Sequence, residues 1–190
     1  MNRKFLGIPA IVLFASMSGA FLHLSGSPPN IEMLMPFILS GGLMLGPVYG
    51  FAIGALVRAS YDFQIVWAGP WTIATAFSYG VVGMLAGFLP LLNHGSKAFS
   101  RKQLVAAAVA LTVVYDLCSL AFFSMLFGLP MLMALGPQIP FTINHVLGNA
   151  LFVFALSPLI NLAIEKMRLD MPFKFNFRLP SPFRAPFRLK

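Results

Sequence analysis

Residues 44–88 read M-L-G-P-V-Y-G-F-A-I-G-A-L-V-R-A-S-Y-D-F-Q-I-V-W-A-G-P-W-T-I-A-T-A-F-S-Y-G-V-V-G-M-L-A-G-F. Two glycine-rich apolar segments flank a short connection that holds a cation, an anion, two tryptophans and a Gly-Pro turn. Glycines four apart, Gly50 and Gly54 in the first segment, let helices approach closely, and Gly80, Gly83 and Gly87 offer such a face in the second. Arg58 and Asp62 interrupt an otherwise apolar pattern. Charge inside such a pattern is costly and marks a structural or functional demand.

The surrounding chain sets the environment of this stretch. Its 190 residues are 58% hydrophobic and 9% charged, where a soluble domain carries about 25% charged residues. So little charge cannot cover a water-facing surface, which implies a polytopic membrane protein of one domain. At about 20 residues per crossing there is room for roughly five to seven spans. The net charge of +8 does not imply nucleic acid: twelve of the thirteen Lys and Arg lie at Arg3–Lys4, at Lys97–Lys102 or from Lys166 onward. These are the loops and ends where positive charge sets orientation. The lone Cys118 lies in an apolar run and reads as a packed thiol.

Six spans are expected, over residues 5–24, 31–46, 48–60, 71–92, 103–128 and 141–167, followed by a basic Phe/Pro-rich tail over 168–190. The fold class is therefore all-α, a six-helix transmembrane bundle. The first apolar run is longer than a signal-peptide core and is read as a retained span. The second and third spans are short, and Gly46-Pro47 breaks the chain between them. Tyr61–Pro70 reads as a connection. Leu129–Pro140, with three prolines, reads as an apolar loop or a short interfacial helix. With the N-terminus in the cytoplasm, the inner regions (the N-terminus, Asn93–Lys102 and the tail) are all basic. The outer connections (Ser25–Asn30, Tyr61–Pro70 and Leu129–Pro140) contain no Lys or Arg. This asymmetry places both termini inside. The tail's phenylalanines and cations suit an anionic membrane surface.

Arg58, Asp62, Asp116 and His145, with Glu32 at the margin, are the ionisable groups within the spans. Asp116 lies roughly 20 Å along the fifth span at 1.5 Å per residue. Arg58 and Asp62, four apart, form an ion pair or a charged gate. Trp67 and Trp71 fall where an interfacial aromatic belt would lie, or line a site. Together with Tyr79 and Asn144, these residues would surround an outward cavity suited to a flat, partly polar organic molecule. Ala15, Ser16, Gly19 and Ala20 form small-residue pairs four apart on the first span, for packing within the chain or for docking another subunit. No catalytic arrangement, metal-ligand spacing, nucleotide loop or cofactor motif is present, so neither enzymatic activity nor a cofactor is expected.

The six-span plan with short second and third spans resembles the substrate-binding S component of energy-coupling factor (ECF) transporters. The resemblance is carried by G-P-V-Y-G-F-A-I-G-A-L at 46–56, the D-F and G-P-W-T elements within 62–72, S-Y-G-V-V-G-M-L-A-G at 78–87, and I-N-H-V-L-G-N-A-L with S-P-L-I within 143–160. It implies a prokaryotic plasma-membrane protein that binds a vitamin or related micronutrient near the outer face. It further implies association with a transmembrane T component and two ATPases, followed by toppling in the bilayer. The family's first-span A-x-x-x-A patch would correspond here to Ala15, Ser16, Gly19 and Ala20. The resemblance places Trp71, Asp116, Asn144 and His145 at the pocket. Alternatives from other classes are a six-span scaffold of the rod-shape-determining type and a proton-coupled carrier using Asp116.

Overall fold

The computed structural model describes residues 7–65, 68–92 and 99–168. They form six helices: α1 Gly7–Leu24, α2 Met35–Leu45, α3 Pro47–Gln64, α4 Pro70–Leu92, α5 Arg101–Phe127 and α6 Met131–Arg168. Among the described residues there is no strand. Four helices (α1, α4, α5 and α6) are long and apolar enough to cross a membrane. Large apolar side chains such as Phe14, Phe21, Ile73 and Leu132 point outward, as lipid-facing residues of a bundle do.

The short helix α2 sits at the centre. It is apolar all round, and nine of its eleven residues are buried; a helix of that composition belongs in a core. Leu34, Met35, Ile38 and Leu39 pack there with Ile53, Val57 and Val82. Helix α2 ends at Gly46, whose φ of 91° suits only glycine. Pro47 then opens α3 with its preset φ. This is the Gly-Pro break expected from the sequence, made as a tight corner between two helices.

Helices α3 and α4 form the closest pair. A methyl group added to Gly50 would land on the backbone carbonyl of Gly83, and one added to Gly83 would land on that of Gly50. Gly54 lies against the carbonyl of Tyr79, Gly42 against that of Gly83, and Gly87 against the Gly46–Pro47 corner. The glycines thus bring three backbones together, which is how helices gain dispersion energy where lipid offers no hydrophobic driving force.

Two elements extend beyond their expected limits. Helix α3 continues through Tyr61 and Asp62 to Gln64, so the charged pair lies on a helix and not on a connection. Arg58 and Asp62 pair across one turn and Tyr61 is buried, and both favour continuing the helix. The segment 131–140 is the first part of α6, which runs for 38 residues with Pro137, Pro140 and Pro158 inside it. At 1.5 Å per residue it is about 57 Å long, well beyond an apolar layer of about 30 Å. Proline's preset φ is helical, so it bends such a helix without ending it where neighbours support the turn.

Helix α5 has sharp ends. Ser100 caps it through a reciprocal bond with Gln103, and Gly128 closes it in the left-handed conformation. It pairs antiparallel with α6: the Arg101 guanidinium lies 5.4 Å from the centre of the Phe154 ring at one end. The basic tail over 169–190 lies outside the described residues, as do residues 93–98 of the basic connection.

Gly50→Ala or Gly83→Ala should lower the stability of the purified protein by about 1–3 kcal/mol, the usual cost of overpacking. Gly136→Ala, where an added methyl meets nothing within 4 Å, should leave it unchanged or slightly higher. Thermal unfolding in detergent would check this, and equal melting of all three variants would contradict the packing.

Candidate functional site

The buried charges form one continuous chain through the bundle. Arg58 on α3 donates from Nη1 to both oxygens of Glu32, at 2.9 and 3.1 Å. Its Nε lies 2.9 Å from Asp62 Oδ1, an ion pair not aligned as a hydrogen bond. Its guanidinium also stands 5.1 Å from the centre of the Tyr61 ring, within cation–π range. Asp62 is completely buried and accepts from Thr72 Oγ1 at 2.9 Å and Thr75 Oγ1 at 3.4 Å. Thr72 in turn accepts from the Gly69 amide, which fixes the start of α4.

From Glu32 the chain runs inward. The Tyr79 hydroxyl donates to Glu32 Oε2 at 3.3 Å and lies 3.1 Å from His145 Nε2. His145 Nδ1 lies 2.9 Å from Asp116 Oδ1. Tyr79 and Tyr115 stack at 4.1 Å between ring centres, and Tyr115 meets the His145 ring edge-on at 5.2 Å. One turn along, Asn149 Nδ2 donates to Thr112 Oγ1 at 2.9 Å. Asp116–His145 and Thr112–Asn149 are therefore successive rungs between α5 and α6. His145, Asn149, Thr112 and Asp116 are all buried. Asp116 Oδ2 and Asn149 Oδ1 have no protein partner.

A cavity of about 430 Å³ opens between α4, α5 and the first part of α6, a size suited to a small organic ligand. Trp71 and Thr75 line it from α4, Ser119, Leu120 and Phe123 from α5, and Gln138 and Phe141 from α6. Helical spacing joins this cavity to the polar chain. Trp71, Thr75 and Tyr79 are four apart on α4. Asp116 lies four before Leu120 on α5. Gln138, Phe141 and His145 follow a three-then-four spacing on α6. Each wall therefore continues, one turn deeper, into Tyr79, Asp116 or His145. A second hollow of about 510 Å³ lies between α4 and α5, lined by residues such as Ile73, Phe77, Phe122 and Met125. It offers almost no polar surface and suits an acyl chain better than a polar solute.

The residues singled out from sequence fall into distinct places. Tyr79, Asp116 and His145 meet in the buried chain, and Trp71 lines the cavity above them. Arg58 and Asp62 contact each other and also Glu32 and two threonines. Asn144 is half-buried on α6, and the rung to α5 is made by Asn149. Trp67 lies outside the described residues. Ala15, Ser16, Gly19 and Ala20 are all buried: Gly19 lies against Leu34 and Tyr61, and Ser16 accepts from Gln64 at 2.7 Å. Packing within the chain thus occupies that face of α1.

Sequence reasoning gave Tyr115, Thr72, Thr75 and Thr112 no role in the site and left Glu32 at the margin. The four-residue spacing of Trp71, Thr75 and Tyr79 was a usable signal. The pattern from Gln138 to His145 becomes visible only once 131–140 is read as helix. Among the described residues, no group of His, Cys, Asp and Glu could hold a metal ion.

An apolar helical bundle with a buried polar chain defines a multi-pass helical membrane protein. A family model described as ECF-type riboflavin transporter, S component, matches residues 6–162, and the chain belongs to that family of transporter S components. It is also similar to a UPF0397 protein of Clostridium perfringens, 34% identical over 96 residues, covering 46% of this chain and 51% of that protein. A UPF0397 protein of Lactobacillus johnsonii is 29% identical over 116 residues, covering 55% and 60% respectively. The chain thus spans between half and two thirds of the length of these curated relatives.

Arg58→Gln should destabilise the protein by about 3–5 kcal/mol, because it strands two buried carboxylates. Adding Glu32→Gln to it should recover part of the loss. Unfolding of the single and double variants in detergent would check this; additive losses would show that the two residues are not coupled.

Proposed function

We propose that the chain is the ligand-binding subunit of an ECF importer in a prokaryotic plasma membrane, taking up a vitamin or related micronutrient. The observation that carries this reading is the 430 Å³ cavity walled by Trp71, Phe123 and Phe141. One helical turn beyond its lining residues lie the buried, hydrogen-bonded groups Tyr79, His145 and Asp116. Aromatic walls hold a flat ring, and a few buried polar groups fix its orientation.

Charge supports an outward mouth. Trp71, Leu129 and Met133 line the cavity at the end of the bundle whose connections, residues 25–34, 65–69 and 128–130, contain no Lys or Arg. The opposite end carries Arg101 and Lys102 at the start of α5 and Lys166 near the end of α6. Arg58, Glu32 and Asp62 brace the helices around the site. The chain carries no nucleotide loop, so transport energy would come from two ATPase subunits coupled through a transmembrane T component.

Native mass spectrometry of protein purified from its host should show a bound small molecule, and co-purification should recover T and ATPase subunits. Trp71→Ala should weaken binding of that molecule at least tenfold, about 1.4 kcal/mol, with the helical fold intact. Uptake that persists without any ATPase subunit would overturn the reading in favour of a secondary carrier.

A further inference from the structure

The buried site is unbalanced in charge. Its anions are Glu32, Asp62 and Asp116, and among the described residues its one buried Arg or Lys is Arg58. Arg58 is shared between Glu32 and Asp62, so it is already engaged at one end of the chain. At the other end Asp116 has His145 alone. Counting His145 as neutral leaves one cation against three carboxylates; counting it as imidazolium leaves two against three. With all three carboxylates ionised, either count leaves negative charge in excess.

A second, independent observation locates that excess. Asp116 is 4% exposed, yet its Oδ2 has no protein partner. Asn149, one rung away and fully buried, also has a carbonyl oxygen without one. Asn149 Oδ1 only accepts hydrogen bonds, and so does Asp116 Oδ2 while the carboxylate is ionised. A buried carboxylate oxygen left without a donor costs more than a neutral group in the same position. By helical spacing, Asp116 continues the α5 wall of the cavity one turn below Ser119 and Leu120.

Taking that cavity as the ligand site, the geometry points to a ligand that brings a positively charged, N–H-bearing nitrogen to Asp116. An amidinium, a protonated aminoheterocycle or a similar flat cation supplies the missing donors, and its ring lies between Trp71, Phe123 and Phe141. A carboxylate or phosphate at this depth would face Asp116 with like charge inside a low-dielectric interior, which is strongly unfavourable.

Benzamidinium and benzoate are flat probes of nearly equal shape and opposite charge. Titrated against the full-length protein in detergent by calorimetry or thermal shift, benzamidinium should bind at least tenfold more tightly than benzoate. Asp116→Asn should abolish that preference, and Asp116→Glu should retain part of it. Melting of each variant without probe checks its folding, and the wild-type comparison decides the sign of the charge even if a variant fails to fold. Equal binding of both probes, tighter binding of benzoate, binding of neither, or a preference unchanged in a folded Asp116→Asn would overturn the assignment. Co-purification with ATPase subunits does not depend on ligand charge, so an anionic preference would leave the importer reading standing.

Discussion

The structure depends on one buried cation. Arg58 ties together Glu32 before α2 and Asp62 on its own helix. Through Glu32 it also holds the Tyr79 hydroxyl on α4. An arginine in an apolar bundle is tolerable only when its fork of donors is engaged, and its planar geometry suits a carboxylate at each end. Once it is placed, the depth of α3 is fixed, and so is the turn that precedes α2. The connection between α3 and α4 is held from the other side by Asp62 and its two threonines.

That electrostatic pin works because the backbones around it are close. Gly42, Gly50, Gly54, Gly83 and Gly87 remove the side chains that would keep α2, α3 and α4 apart. Close packing excludes water and keeps the local dielectric low, which strengthens each polar contact inside and raises the cost of any unmet one. The glycine packing and the buried polar chain are therefore mutually supporting. Helices α5 and α6 pair with each other beside this core and contribute Leu104, Ala108, Val153 and Ile164 to it. The cavity lies between them and α4, where aromatic and polar residues replace glycine.

Much of this was legible in the sequence. Low charge, glycine spacing and the Gly46-Pro47 break predicted an all-helical membrane bundle with two short elements, of which α2 is short and α3, at 18 residues, is not. The ionisable residues of the spans predicted the members of the buried chain, because charge in an apolar segment must find a partner. The limits of α3 and α6 were less legible. Local signals pointed to a connection after Ser60 and a loop before Phe141. The Arg58–Asp62 pair and the packing of Tyr61 outweigh the first. In the second case, Pro137 and Pro140 lie inside a helix that continues through them. The cavity wall supplied by Gln138 and Phe141 was therefore hidden.

By itself, the sequence determined composition, charge asymmetry, the positions of the small residues and the identity of the ionisable groups within the spans. These follow from local chemistry and from periodicity along single helices. The tertiary structure alone decided the partners: that Arg58 reaches Glu32 as well as Asp62, that the small residues of α1 are covered within the chain, and that His145 lies between Tyr79 and Asp116. Partnership across helices depends on rotation and depth of one helix against another. Those are set by the sum of many packing contacts, and no local pattern along one segment encodes them.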